Sequence, residues 1–376
     1  MVGLKTSLKN IELDQYLINS DKSFEDLQSI MNEIPNPAKI PVNNGIDIFE
    51  IKQISKYASN ILYSKSLNKR KKEILPSDGI NGITNFNFSE DNLKWLFNFN
   101  ELGINKIKLE IKKGNINQNL KNTLDHLLSH NSSVAHKISK SNNFSPYEKI
   151  AKLDYAYNNL NSLLKLNIDK SKMRIYYHHS SLRDISYDLF VESKKLMKNS
   201  KTHINKNKLA LFWIKESIRN NNKAINLINK IYDENLSDKN FKLCGHEYNQ
   251  ITKSYSNLAR IRENKFDKIN DIETLINYKI ELGKFVKNHF NITQINKTIT
   301  FHYYEAGNYA FNLYKDFHQE NHRKKALMLY QQYIKKQKTK SNMRGLLRRS
   351  KRRGLKRNKK YKIVKYRIEQ LVHRTM

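Results

Sequence analysis

From residue 145 onward, apolar residues recur at steps of three and four, the period of a helix that buries one face. The segment 147–166 carries Ile150, Leu153, Ala156, Tyr157, Leu160 and Leu163 on one stripe, and 173–197 carries Ile175, Leu182, Ile185, Leu189 and Leu196. The pattern then predicts a helical hairpin from 208–218 and 224–232, turning at Asn220-Asn221-Asn222, followed by helices over 248–261, 272–290, 301–317 and 324–336. A polar stretch, Gln319 to His322, separates the last two. Helices joined by connections this short pack against their sequence neighbours.

The first 140 residues read differently. Ser23-Phe-Glu-Asp26 offers an N-cap and first-turn acids for a helix to about Asn32, and Pro35, Pro37 and Pro41 then impose an extended loop. A helix follows over 46–63, with Ile46, Phe49, Ile54, Tyr57 and Ile61 as its apolar face. Two strand-like alternations come next: Ile83 to Phe88 before a capped helix at 89–97, and Ile107 to Ile111 before a helix with Leu120, Leu124, Leu127 and Leu128. Ser, Asn and Pro cluster at 139–145, where the pattern changes. The expected fold is therefore mainly α: a small α+β region over 1–140, a helical-hairpin array or irregular helical bundle over 146–340, and an extended basic tail over 341–376.

Composition agrees with long helices. Only 11 Gly and 5 Pro occur in 376 residues, while hydrophobic residues make up 38% and aromatics 10%, enough for a sizeable core. No apolar run reaches the ~18 residues of a membrane span. The first 22 residues lack a signal-peptide core, and a mitochondrial presequence would be Arg-rich, yet no Arg precedes Arg70. The lone Cys244 excludes an internal disulfide and any multi-cysteine metal site. These features read as a soluble protein of a reducing, intracellular compartment.

Residues 301–338 carry Tyr304-Glu-Ala306-Gly307-Asn-Tyr309-Ala310 in the first helix and Ala326-Leu-Met-Leu-Tyr330 in the second. This hairpin resembles a tetratricopeptide repeat, in which small residues let two helices approach and aromatics fill the space between hairpins. About six extra residues separate its halves, and the family's closing proline is absent. Lys223-Ala224-Ile-Asn-Leu-Ile228 gives a weaker echo across 206–234. The strand–turn–helix recurrence over 83–128 is similar, more faintly, to leucine-rich repeats. The first resemblance implies a scaffold with a protein-binding groove and implies no chemistry.

Three constellations bear on catalysis. His178 and His179 are adjacent and point about 100° apart on a helix, unsuited to chelating one metal. Cys244-Gly-His246-Glu247 reads as a loop between helices, and it lacks the second histidine of a zinc-binding H-E-x-x-H. His302 and Glu305 share a helical face, half of a site at most. Phosphate-loop and nucleophile-elbow motifs do not occur. The reading leans away from an enzyme and assigns no cofactor, metal or catalytic residue.

The charge of the tail points to a partner. Residues 341–376 hold fourteen Lys or Arg against one acid, Glu369, so they carry +13 of the chain's net +34. Eight of its fifteen arginines fall there, in a chain whose lysine, asparagine and isoleucine content suggests an AT-rich coding bias. The candidate polyanion-binding residues are Arg344, Arg348, Arg349, Lys351, Arg352, Arg353, Lys356, Arg357, Lys359 and Lys360. An arginine fork meets phosphate oxygens in pairs and stacks on bases. The segment is expected to be extended when alone, or a nascent helix over 361–372 with Ile363, Tyr366, Ile368 and Leu371 on one side. The leading function is a non-enzymatic scaffold that binds RNA of a ribonucleoprotein through the tail and a protein through the helical domain. Membrane association is expected only as peripheral attraction. The alternative is resemblance to effectors that AT-rich bacteria send into host cells, with Lys351-Arg-Arg353 and Lys356-Arg357-Asn-Lys359-Lys360 as a nuclear-localisation-like signal.

Overall fold

The computed structural model describes residues 29–43, 45–56, 58, 90–115, 117–166, 171–198, 204–289, 292–343 and 351–373. Within these residues the secondary structure is helical, with no strand. The chain forms two compact units: one comprises Met1–Lys170 with Val191–Lys201, the other Ser171–Phe190 with Thr202–Met376.

The first unit contains helical turns at 29–33 and 48–56, a short 3-10 turn Pro37–Lys39, and helices α1 (Glu90–Lys112), α2 (Gln118–Ile138) and α3 (Pro146–Lys165). Helix α1 packs on α2, and α2 on α3, so the 139–145 loop is an internal connection of this unit. The extended loop expected of Pro35, Pro37 and Pro41 is interrupted by that 3-10 turn, which Pro37 opens. On the 48–56 helix Ile51 and Ile54 are buried, as is Ala58 just beyond it, whereas Phe49 is exposed. Gly114, at φ +85, turns the chain between α1 and α2. The side chain of Asn117 then accepts from the Leu120 amide at 2.8 Å, and a Ser145–Glu148 capping box with Pro146 behind it starts α3.

The α+β expectation is corrected here. Ile107–Ile111 is the last part of α1, not a strand, because its five-residue alternation lies within a longer stripe of Leu96, Phe99, Gly103 and Ile107 that α2 covers. The leucine-rich-repeat pattern loses its second strand with it. The first, at 83–88, lies outside the described residues.

The second unit holds the start of α4 (Lys172–Lys198), then α5 (Ile204–Glu234), α6 (Asp238–Ile261), α7 (Lys265–His289), α8 (Ile292–Phe317), α9 (Glu320–Met343) and α10 (Lys351–His373). From α5 to α10 each helix packs on the next, which is a helical array. Two expectations fail here for one reason. Asn220-Asn-Asn222 is no turn but the middle of the continuous helix α5: Asn220 Oδ1 lies 3.2 Å from His179 Nδ1, Asn221 is fully buried, and Asn222 Oδ1 accepts from Tyr278 Oη at 2.6 Å. The hairpin echo at 206–234 is therefore a single helix. Likewise Cys244-Gly-His-Glu247 is no loop but part of α6. Local turn propensities of about 1 kcal/mol yield to partners supplied by neighbouring helices.

The close approach of α8 and α9 follows the small residues. Ala306, Ala310 and Ala326 are fully buried, and a Cβ on Gly307 would lie 2.7 Å from the Tyr330 ring. Gly245, by contrast, has nothing within 4 Å of such a Cβ. Gly307→Ala is therefore expected to lower stability by about 1–3 kcal/mol through overpacking, whereas Gly245→Ala raises it by about 0.5–1 kcal/mol by restricting the unfolded chain. Urea denaturation of the two variants checks the opposite signs.

Candidate nucleic-acid interface

The described residues of the basic tail, 341–343 and 351–373, are helical rather than extended. Of the ten candidate residues, Arg344, Arg348 and Arg349 lie outside the described residues. Lys351, Arg352, Arg353, Lys356, Arg357 and Lys359 occupy the first turns of α10, where only the backbone is described, and Lys360 follows on the same helix. The last three turns dock on the α8–α9 hairpin. Val364 and Leu371 are fully buried in the hairpin's core, with Tyr361 and Ile368 packed beside them. The apolar face is thus Tyr361, Val364, Ile368 and Leu371, at steps of three and four. Tyr366, expected on that face, is 60% exposed.

Polar contacts fix this docking. Arg367 Nη1 donates to Tyr330 Oη at 2.9 Å and to Asn308 Oδ1, and its guanidinium lies 4.8 Å from the Phe311 ring centroid. Tyr330 Oη itself donates to Asn308 Oδ1 at 2.9 Å. Burial pushes the Tyr330 phenol up to about 12, so it remains a neutral donor. Lys360 Nζ lies 4.9 Å above Tyr304. At the other end, Arg323 donates to the Leu371 carbonyl, one of the acceptors a helix C-terminus leaves unused. Lys360 and Arg367 thus turn two tail cations toward the body, while Lys362 and Lys365 are exposed. Sequence reading singled out the cations and missed this acceptor set. Its one visible signal was the aromatic spacing of Tyr304, Phe311 and Tyr330.

The three catalytic constellations resolve into packing. Glu247 is fully buried, and its carboxylate is saturated: Oε1 accepts from Tyr176 Oη at 3.0 Å and Ser180 Oγ at 3.1 Å, and Oε2 from Arg183 Nη1. Arg183, 2% exposed, also reaches Asp184 at 2.9 Å and lies 3.3 Å from His246 Nε2. Cys244 is buried with its sulfur 3.7 Å from the Ile228 carbonyl, and burial pushes its thiol up to about 12, against any role as a nucleophile. Burial also depresses His179, and with Lys279 nearby it brings His302 down to about 4. Glu305 pairs with Lys279 at 2.8 Å, while His246 faces Arg183, so the two belong to separate clusters. Among the described residues no group of three or more His, Cys, Asp or Glu is placed to hold a metal ion, and no helix is long and apolar enough to cross a membrane.

Two measurements follow. Glu247→Leu leaves the Arg183 charge buried and is expected to cost about 3–5 kcal/mol, much of it regained in the Arg183→Met/Glu247→Leu double variant; thermal or urea melts of the pair decide. His302 binds its proton less readily folded than unfolded, so its stabilising contribution is complete above pH 6.5. It is lost as pH falls toward 4, with a limiting size of roughly 3 kcal/mol. Melting the wild type and His302→Gln across that window should show a steeper decline in the wild type.

No protein-family model matches the chain, and no curated protein matches it in sequence. Among solved structures it is similar to a circular tandem repeat protein with novel repeat topology, at 10% identity over 93% of this chain and 77% of the other, TM-score 0.38. It is also similar to the S. pombe nuclear import adaptor Nro1, at 13% identity over 79% and 96%, TM-score 0.21. A de novo designed helical repeat protein matches at 10% identity over 80% and 100%, TM-score 0.19. Scores this low carry nothing over to the partner or activity of this chain.

Proposed function

We propose that the protein is a non-enzymatic helical scaffold that binds RNA of a ribonucleoprotein through the basic start of α10, with the helical array available to a protein partner. The observation that carries this reading is the anchoring of the cation-rich helix on the body. Residues 351 to 360 hold Lys351, Arg352, Arg353, Lys356, Arg357, Lys359 and Lys360 within about 14 Å of helix axis. Such a segment repels itself and, alone, gains little from becoming helical. Here Val364 and Leu371 offset that cost, at about 1.5–3 kcal/mol for each buried side chain. A helix ordered in advance spares a polyanion the entropy loss of ordering a coil. In this reading the α8–α9 hairpin is the tetratricopeptide-like element, with Gly307 against Tyr330 as its close contact.

Deleting the tail after Lys340 would also strip Val364 and Leu371 from the core, so charge removal within α10 is the cleaner test. Arg352→Gln, Arg353→Gln, Lys356→Gln and Arg357→Gln in one full-length variant should weaken RNA binding and flatten the slope of log affinity against log salt by roughly 3. If six to ten phosphates are engaged by the wild type, its affinity should fall ~10³- to 10⁵-fold between 50 and 200 mM salt. Equal affinity and equal slope in variant and wild type would refute this role for α10.

A further inference from the structure

Helix α5 carries a second row of cations, on the body. Its exposed positions include Lys208, Phe212, Lys215, Arg219, Lys223, Asn226 and Lys230. At 100° per residue these seven lie within about 80° of arc, a single outward stripe about 33 Å long. From Lys208 to Lys230 every charged residue on that stripe is positive; the exposed Asp233, one turn beyond Lys230, lies on the same arc. Two acids lie at its edge: Glu216, which pairs with Arg219 at 3.4 Å while the Arg219 side chain remains 66% exposed, and Glu234, which pairs with Lys172. Lys215 also feels Asp271 electrostatically, but that carboxylate is already held by Arg262 Nε at 2.8 Å. Lys223 lies close enough to His179 to disfavour its protonation. Among the described residues, no carboxylate pairs with Lys208, Lys223 or Lys230.

We infer that this stripe is a sequence-independent binding surface for the backbone of single-stranded RNA, on which Phe212 stacks an unpaired base. The spacing fits a charged chain: Lys215, Arg219 and Lys223 succeed one another at four-residue steps of about 6 Å, near the separation of phosphates along one strand. Lysine ammonium groups contact phosphates as point charges and carry no base information. Phe212, 51% exposed within the row, is a platform that any base can use. A lipid surface is a poorer fit, because a helix lying in a membrane interface inserts its apolar face. That face of α5, with Ala210, Ile214, Ala224 and Ile228, is buried in the unit. The stripe stands independently of the role proposed for α10.

The test uses the full chain, a labelled uridine oligomer long enough to span the row, and a salt titration. The stripe variant carries Lys208→Gln, Lys215→Gln, Arg219→Gln, Lys223→Gln and Lys230→Gln; glutamine keeps helix propensity, and circular dichroism checks the fold. It should bind at least tenfold more weakly and flatten the salt slope by about 2–3.5, and Phe212→Ala should separately weaken binding by about fivefold or more. The α10 charge variant is titrated in parallel, so that loss in one and not the other separates the two surfaces. Unchanged affinity and slope in the stripe variant overturn the inference whatever α10 does. Absence of wild-type binding to the oligomer also overturns it, and leaves the α10 role to its own RNA titration. A stripe variant that loses binding only to phosphatidylserine vesicles or to polyglutamate also overturns it, in favour of a lipid or acidic-protein partner.

Discussion

The ring of Tyr330 occupies space that only a glycine at 307 leaves open, and the end of the array depends on that contact. With no Cβ on Gly307, the Tyr330 ring lies against the backbone of α8 and places its hydroxyl beside Asn308. The pair so formed receives Arg367 and thereby orients α10. Val364 and Leu371 then complete the core that Ala310, Leu313, Ala326 and Leu329 begin. A single missing methyl thus connects helix packing to the placement of the most highly charged segment in the chain. Interiors are close-packed and cannot absorb an extra carbon without displacement, which makes the coupling stringent.

A second constraint runs through the buried polar groups. Arg183 and Glu247 are almost fully removed from water, and each is acceptable inside only because the other, with Tyr176 and Ser180, completes its hydrogen bonds. Apolar stripes alone allow a helix to slide or rotate against its neighbour at modest cost. An ion pair that must be satisfied does not, so Arg183–Glu247 selects one alignment of α4 with α6. The Asn220-Asn-Asn222 run has a similar effect on α5, bonding to α4 through Asn220 and to α7 through Asn222. Residues that resemble catalytic or turn elements in the sequence are, in the folded chain, devices of helix register.

The surplus of positive charge has two different physical characters. On α10 it is concentrated and arginine-rich, and the helix is held against self-repulsion by apolar anchoring and by aromatic rings under Lys360 and Arg367. On α5 it is drawn out along one exposed stripe and is mostly lysine, on a helix whose stability comes from its opposite, buried face. Both arrangements put cations on helices whose other residues are anchored in the core of the unit.

The sequence by itself determined the helical class, most helix positions after residue 145, and the small-residue approach of α8 to α9. These follow from apolar periodicity and residue size, which are local and additive along the chain. It also marked the tail as a polyanion candidate, because clustered arginines run against the compositional background. Only the tertiary structure decided that 107–111 is helical, that the Asn run and Cys244–Glu247 lie within helices, and that the tail docks along Tyr361, Val364, Ile368 and Leu371. The α5 stripe was illegible for the same reason: broken at a supposed turn, its cations fell on the two arms of a hairpin and on the connection between them. The Asn run and Cys244–Glu247, polar or glycine-bearing stretches that favour a turn in isolation, are held in helices by partners distant in sequence. The energy of those partners belongs to the folded chain and to no segment of it.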